Sequence, residues 1–455
     1  MTHSKLIISI LCPVLLCISV LAGCSARQAD GSALVICVES HNAVFYTDLA
    51  ELYTLRYPNR AIEFVTLPSL GGPSETVSPD DREAALLQVR TQVMSGRGPD
   101  LFLLDNAFLD YNIVQGGSPL FPELDKSMAA GVFADWNTIW AESEAGLPAD
   151  YIAPLLEAGQ LEGEQYLLPL SCDVYALLMD GERWAEAAPP TTDFAAWADW
   201  LTRACGGWAW AGSTSTAGEP FLAGAGLPTV DVATGEVRMT TELLADRLAA
   251  LEATTAMDAP WAGVPVPAGF SQWPWRDHGL WLGGLTGVFT NGDVLNAPLQ
   301  AVAVPAHDGG LAAYMHTWAG VRANSTRKQE AWDFVRLLLE TGVQTGEGIE
   351  ENPGQWFGQL GLAALPVRAG CWEGYFAQEM SRNYSQQKKP PRELVAANSR
   401  QLAALAEEIT VGARYTPRLR ELADAIMRNA RLPNAVSATQ AAEAAMAEWG
   451  RYLDE

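Results

Sequence analysis

The chain has 455 residues, only five histidines and a formal net charge of -25. This acidic excess argues against nucleic acid and anionic lipid headgroups as partners, because both would be repelled electrostatically. A neutral or cationic small ligand remains compatible with the charge, and the length exceeds what a single hydrophobic core usually supports, which predicts two domains.

The first 23 residues have the layout of an export signal, with Lys5 ahead of an apolar run at 6–20. That run is shorter than the roughly 20 residues of a membrane-spanning helix. The stretch Leu21-Ala22-Gly23-Cys24 resembles the lipobox of bacterial lipoproteins. The resemblance implies that residues 1–23 are removed and that acyl chains such as palmitate on Cys24 hold the protein at the outer face of the cell membrane. Residues 24–32 would form a polar tether.

Strand-like and helix-like segments alternate after the tether. Short β-prone runs are separated by segments whose apolar residues recur at helical spacing. This alternation predicts an α/β fold with a parallel sheet flanked by helices. The predicted order is strand, helix, strand, helix, strand, at residues 33–38, 45–53, 61–67, 82–96 and 101–104.

The remainder of the chain repeats the pattern with more interruptions. A Gly-, Ser- and Trp-rich stretch at 206–235 predicts loops, and Thr326 with Gln329 could form a capping box at a helix start. Further strands are predicted at 165–170, 174–179 and 301–305, and further helices at 194–201, 326–339, 393–409, 417–430 and 438–453.

Four cysteines follow the lipobox, namely Cys37, Cys172, Cys205 and Cys371. They form no C-x-x-C pair, and the histidines show neither H-x-H nor H-E-x-x-H spacing, so we expect neither a metal site nor a cofactor. The cysteines are compatible with one disulfide outside the cytoplasm or with buried free thiols.

One short motif could suggest an enzyme. Residues 325–328 (STRK) match the S-x-x-K of penicillin-binding proteins, but the companion S-D-N and K-T-G motifs are missing and the residues also fit a helix start. The chain has no G-x-S-x-G, Walker A or complete G-x-G-x-x-G pattern. We therefore expect no catalysis, although paired carboxylates for glycoside hydrolysis cannot be read from sequence because their separation is spatial.

Four segments, taken in order, resemble the family 1 extracellular solute-binding proteins of ABC importers, the group that includes maltodextrin-binding proteins. The resemblance spans nearly all of the chain after the tether. Glu164 departs from the lysine that is usual in the second segment. The segments are a helix, glycine turn, Pro-Asp and strand at 88–105, LEGEQYLLP at 161–169, PPTT to Trp197 at 189–197, and NS to AWDF at 324–334.

The resemblance implies the two-lobe, type II fold of periplasmic binding proteins, with the ligand cleft between the lobes. Lobe 1 would hold residues 33–112 plus 312–350, and lobe 2 residues 113–311 plus 351–455. The protein would be a monomeric, lipid-anchored component that binds a carbohydrate and delivers it to the permease. Two alternatives remain: a lipoprotein hydrolase that acts on glycans, and a binding protein that reports to a membrane sensor kinase.

Polar residues that follow predicted strands are candidate ligand contacts, because ligands of open α/β sheets bind beyond the carboxyl ends of the strands. Helix capping or a solvated turn would explain the same residues equally well. The candidates are Glu39, Ser40, Asp105, Asn106 and Asp173.

Aromatic platforms are the second expectation for a sugar site. The chain has 16 tryptophans, and Trp210, Trp275 and Trp318 lie in loop-like contexts where they could stack on a ligand or pack in the core. Tyr415 lies near a position where the resemblance implies an aromatic ligand contact.

Overall fold

Two β-sheets form the framework of the computed structural model. The structure describes residues 33–70, 77–106, 118–143, 145–186, 189–191, 193–204, 222–226, 230–255, 279–290, 292–347, 364–382, 390–414 and 436–454. The strands are β1 (Ala33–Glu39), β2 (Ala61–Leu67), β3 (Leu101–Asp105), β4 (Gln160–Leu161), β5 (Glu164–Gln165), β6 (Leu168–Pro169), β7 (Ser171–Asp180), β8 (Val230–Asp231), β9 (Glu236–Val237), β10 (Leu280–Gly284), β11 (Leu299–Ala303), β12 (Leu311–Met315), β13 (Thr317–Val321), β14 (Leu365–Pro366) and β15 (Ile409–Ala413).

The helices follow the predicted alternation through the first three strands. Short 3-10 segments occupy Ser40–Asn42, Ala153–Gly159, Ala223–Ala225, Leu285–Thr290, Ala369–Cys371 and Leu405–Glu408. The α-helices are α1 (Ala43–Arg56), α2 (Pro79–Met94), α3 (Leu124–Ala129), α4 (Trp136–Ala141), α5 (Phe194–Ala204), α6 (Thr241–Thr255), α7 (Gly292–Leu295), α8 (Lys328–Leu338), α9 (Thr341–Thr345), α10 (Trp372–Arg382), α11 (Arg392–Ala404) and α12 (Ala438–Asp454).

The first sheet has the strand order β2-β1-β3-β13-β6. Strand β1 pairs in parallel with β2 and β3, whereas β13 runs antiparallel to β3 and β6. The prediction of a parallel sheet from residues 33–106 is confirmed. The carboxyl ends of β1 and β3 therefore meet at one edge of this sheet.

The second sheet has the order β10-β7-β12-β15, and β11 and β14 also pair with β7. Strand β7 is almost completely buried, as expected for a strand covered on both faces. Strand β12 lies parallel to β15 and antiparallel to β7. The beginning of β7 and the ends of β12 and β15 thus share one edge.

The chain passes directly from one sheet to the other at two adjacent points, Leu170 and His316, and it passes once more between β13 and β14. Strand β6 lies in the first sheet and β7 in the second, while β12 lies in the second and β13 in the first. The two crossings are hydrogen-bonded to each other, because Leu170 N donates to Thr317 O at 2.7 Å and His316 N donates to Ser171 O at 2.9 Å. Residues 168–169 pair with β13 in the first sheet, and the predicted lobe boundaries stay a prediction.

Apolar clusters cover both faces of both sheets. One cluster is continuous across the two sheets and includes Trp332 of α8 and Trp372 of α10. A second packs α5, α6 and α12 on the other face of the second sheet. A third packs α2 and the segment around α3 on the other face of the first sheet. The sheets are therefore joined along one side by shared core.

Helix α8 begins at Lys328, two residues later than predicted, and shows no side-chain cap. Instead Ser325 Oγ accepts from Arg327 N at 3.0 Å and donates to Asp100 Oδ1 at 2.8 Å. The expected capping box of Thr326 and Gln329 is wrong, because the hydroxyl that organises this turn belongs to Ser325. The same contacts give the S-x-x-K motif a structural role.

Three of the four cysteines after the lipobox, Cys37, Cys172 and Cys371, are buried free thiols. Cys205 lies outside the described residues. Within the described part of the chain, no helix is both long and apolar enough to cross a membrane.

Candidate functional site

A buried polar cluster occupies the edge of the first sheet where the chain crosses to the second. Its centre is Asp105, the last residue of β3. The carboxylate accepts from Asn42 Nδ2 at 2.9 Å, from His41 Nε2 at 2.9 Å and from Thr317 Oγ1 at 3.0 Å. Three donors from two elements, the Ser40–Asn42 segment and β13, therefore converge on one acid.

His41 connects this cluster to the loop after β2. Its Nδ1 lies 2.9 Å from Ser69 Oγ, and Ser69 N donates to Ser40 Oγ at 2.9 Å. Because a carboxylate only accepts hydrogen bonds, Nε2 of His41 carries the hydrogen that faces Asp105. The His41 side chain is 29% exposed, so one side of the cluster reaches solvent.

Asn106 ties the end of β3 to the second crossing. Its backbone N–H donates to His316 O, and its Nδ2 donates to Met315 O at 2.8 Å. Asn106 is 4% exposed. Its amide is thus engaged in holding the crossing segments together, and a ligand contact by Asn106 stays a prediction.

Electrostatics hold Asp105 ionised. Burial alone would raise the pKa of Asp105, but the hydrogen bond from His41, the nearby His316 and the hydroxyl of Thr317 lower it below its usual range. Burial lowers the pKa of His316, which Asp105 opposes and His41 reinforces. The cluster therefore combines a carboxylate with a neutral buried imidazole.

Asp173 lies on β7 at the facing edge of the second sheet. It accepts from Thr286 Oγ1 at 2.7 Å and from Val174 N at 2.8 Å. Burial raises the pKa of Asp173 to about 6, despite these donors. An acid that titrates near neutrality at an edge between sheets is typical of functional sites and of buried hydrogen-bonded turns alike.

Glu39, at the end of β1, forms a bidentate ion pair with Arg82 of α2. The two contacts measure 2.8 and 3.0 Å, and both side chains are almost completely buried. Arg82 also donates to Pro68 O at 2.6 Å. This pairing accounts for the charge of Glu39 without a ligand, and its predicted ligand role remains untested.

Trp318, on β13, is 3% exposed and packs in the third apolar cluster. Its ring meets Phe133 edge-on at 5.8 Å and lies 6.2 Å from Phe121. These contacts match the alternative of core packing, while stacking on a ligand stays a prediction. Four predicted site residues, Cys24, Trp210, Trp275 and Tyr415, lie outside the described residues.

A cavity of about 520 Å³ lies between structures that pack on the two sheets. Helix α3 and the β4–β5 hairpin form one wall, and the end of β15 and the β8–β9 hairpin form the other. It is lined by Asp125, Glu157, Ala158, Gln160, Leu161, Glu162, Gly163, Gly226, Val230, Asp231, Val232, Arg238, His307, Val411, Gly412, Ala413 and Arg414.

Two ion pairs shape the cavity. Arg414, the residue before the predicted Tyr415, pairs with Asp125 of α3 and so joins the end of β15 to the first sheet's side. Arg238 pairs with Asp231 across the β8–β9 hairpin. Guanidinium and carboxylate groups both offer planar hydrogen-bonding edges. The lining can therefore form hydrogen bonds with a neutral ligand that carries many hydroxyl groups.

Sequence reasoning missed His41, Ser69, His316 and Thr317. The histidine spacing bears only on metal binding, and within the described residues no group of three or more His, Cys, Asp or Glu is placed to hold a metal ion. The position of His41 directly after Ser40 was the available signal. No sequence signal marks His316 or Thr317, because their importance comes from their position where the chain crosses between the sheets.

Comparison with known proteins places this architecture in a class. No protein-family model and no curated protein matches the sequence. The fold is similar to the sugar-binding protein MalE from Xanthomonas citri, with a TM-score of 0.60, 14% identity and coverage of 93% of this chain and 97% of that chain.

Two further solved structures agree with this placement. A family 1 extracellular solute-binding protein from Alicyclobacillus acidocaldarius gives a TM-score of 0.58 at 14% identity, covering 93% of this chain and 98% of that one. A cyclic α-maltosyl-1,6-maltose binding protein from Arthrobacter globiformis gives a TM-score of 0.53 at 17% identity, covering 92% of this chain and 99% of that one. The chain therefore has the two-lobe, type II fold of the MalE-type extracellular solute-binding proteins.

Proposed function

We propose that this protein is a non-catalytic, extracytoplasmic binding component of an ABC importer, and that it binds a carbohydrate between its two lobes. The observation that carries the proposal is the polar cavity between structures packed on the two sheets. Its mixed carboxylate and guanidinium lining suits a neutral, hydroxyl-rich ligand.

The fold gives this cavity a mechanism. In two-lobe binding proteins the lobes rotate about their connecting segments and close on a solute. Here the connecting segments at Leu170 and His316 lie side by side, which suits a hinge. Closure would remove water from the ligand and present a closed surface to the permease. The lobe boundaries, the monomeric state and lipid anchoring through Cys24 belong to the same proposal.

Calorimetric titration with a panel of neutral mono- and oligosaccharides tests the proposal. We expect saturable binding with no product. Arg238→Ala and Arg414→Ala should weaken it, because each removes a donor that lines the cavity. Arg203→Ala is the matched control, since Arg203 forms an exposed ion pair with Asp199 on α5, away from the cavity. Full affinity in both cavity variants would exclude this cavity.

The hydrolase alternative makes a different prediction. It requires two carboxylates whose loss abolishes turnover, and the cavity offers Asp125, Glu157, Glu162 and Asp231. Two of the four, Asp125 and Asp231, are held by arginines. Incubation with the tightest-binding oligosaccharide followed by chromatography decides between the two functions. Release of a smaller sugar would show that the protein is a hydrolase.

The sensor alternative differs only in the membrane partner. Co-purification from detergent extracts would return permease subunits if the protein serves an importer, and a sensor kinase if it reports to one. Mass spectrometry of the amino-terminal peptide tests lipidation at Cys24.

A further inference from the structure

The crossing between the sheets contains a buried histidine linked to an acid, His316 and Asp105. His316 Nδ1 lies 3.3 Å from Thr317 Oγ1, and that hydroxyl donates to Asp105 Oδ1 at 3.0 Å. The Thr317 hydroxyl has a single hydrogen, and it donates that hydrogen to Asp105. Nδ1 of His316 must therefore donate to the hydroxyl oxygen. Nε2 is then the position where a further proton would add.

The backbone of the same residue is part of the crossing. His316 N donates to Ser171 O at 2.9 Å, and its carbonyl accepts from Asn106 N. Thr317 N also donates to Ser171 Oγ at 3.1 Å. Any displacement of His316 therefore disturbs the contacts that join three chain segments where the sheets meet.

Within the described residues, two ionisable groups act electrostatically on this histidine. Strand β3 contributes Asp105, and the turn before α1 contributes His41. Asp105 also acts on Tyr46 of helix α1, whose pKa is raised by burial and, to a smaller extent, by Asp105. Strand β7 places Cys172 opposite Met315 and Asp173 opposite Tyr314.

We propose that protonation of His316 loosens the crossing between the sheets, so that acidification opens the hinge and weakens ligand binding. The effect on the hinge is inferred from the contacts at the crossing, whereas the effect on ligand affinity rests on the proposed function. His316 is 6% exposed, so a charge on it loses hydration and faces the neighbouring His41, which together outweigh the attraction of Asp105. An opened crossing would return Nε2 to water.

The direction of the pH effect follows from the linkage between protonation and conformation. Burial lowers the pKa of His316 in the folded state below its usual value. A histidine with a depressed pKa stabilises the closed arrangement above its ordinary pKa and loses that contribution as pH falls. Opening in acid is therefore the expected direction.

Hydrogen exchange of the full-length protein tests the hinge without any ligand. Protection factors at the amides of Asn106, Leu170, His316 and Thr317, corrected for intrinsic rates, should fall as the pH is lowered from about 7.5 to about 5, across the ordinary titration range of histidine. His316→Gln should remove this pH step. Asp199→Asn is the control and should keep the step, because Asp199 is exposed on α5, away from the crossing.

A second variant keeps the test decisive if His316→Gln does not fold. Asp105→Asn removes the charge that raises the pKa of His316, so the exchange midpoint should move to lower pH. The same pH step in the wild type and in His316→Gln would overturn the inference, as would no step in the wild type, or an unmoved midpoint in Asp105→Asn.

Sugar affinity measured at the two pH values completes the test. Weaker binding in acid for the wild type, but not for His316→Gln, would support coupling of the hinge to the ligand. Equal affinity at both pH values beside a clear exchange step would refute the coupling. If no sugar binds at either pH, the proposed function fails, while the exchange data still decide whether the hinge responds to protons.

Discussion

Glu39 and Arg82 form a bidentate ion pair in which neither side chain reaches solvent, at the point where β1 ends beside α2. The pair fixes α2, the crossover helix between β2 and β3, to the sheet edge that carries the polar cluster. Arg82 additionally donates to Ser118 O at 3.1 Å and thereby holds the segment leading to α3.

Arg82→Met should therefore lower the free energy of unfolding by about 3–5 kcal/mol, because it leaves Glu39 charged and buried without its partner. Urea denaturation followed by circular dichroism measures the loss. The double variant Glu39→Gln with Arg82→Met should recover part of it. A single variant as stable as the wild type would contradict a structural role for this pair.

Trp318→Ala should destabilise the fold by about 3–5 kcal/mol, because the ring fills a core site against Phe121 and Phe133. Trp318→Phe, which keeps an aromatic ring, should lose less. Thermal unfolding measures both. If Trp318→Ala remains as stable as the wild type but binds sugar less tightly, the ring contacts the ligand and the core interpretation fails.

Asp173 should make stability depend on pH in one direction. Its pKa is raised to about 6 in the folded state, above the ordinary value for aspartate, so its contribution is present below the ordinary pKa and is lost as pH rises through about 6. The loss should be on the order of 3 kcal/mol. Asp173→Asn should flatten this part of the profile, whereas the exposed Asp199→Asn should not. Parallel profiles for all three proteins would show that Asp173 does not titrate in this range.

Glu164 should destabilise the fold near neutral pH. It replaces the lysine that the resemblance implies and lies beside Asp135, whose shared hydrogen bond raises the pKa of Glu164. Stability should therefore fall as pH rises through the raised pKa. Glu164→Gln should be more stable than the wild type at neutral pH and equal to it in acid. Denaturant titrations at the two pH values measure this, and a constant difference would argue against a shared proton.

A hairpin explains how closely the two acids approach. Strands β4 and β5 are joined by Glu162 and Gly163, both with positive φ, at 53° and 85°. This is a two-residue turn of the kind that favours Asn-Gly. Asp135 accepts from Gln165 N at 3.0 Å, which brings Glu164 next to it.

The sequence alone determined the local elements of the fold. Periodicity among neighbouring residues predicted the strands and helices from 33 to 106, and their alternation predicted a parallel sheet, as found. These features depend on residues a few positions apart, where spacing decides which face is apolar. The four resembling segments then predicted the two-lobe fold that the solved structures share with this chain.

Only the tertiary structure decided which polar residues meet. Arg82 and Glu39 are 43 positions apart, and Thr317 and Asp105 are 212 apart. Nothing in the local pattern of either residue indicates its partner. Glu39 and Asp105 look alike in the sequence, each an acid at a strand end, yet one is neutralised in a buried ion pair and the other gathers three donors at the crossing. Burial makes the difference, because a buried charge requires a partner and the fold determines which partner can reach it.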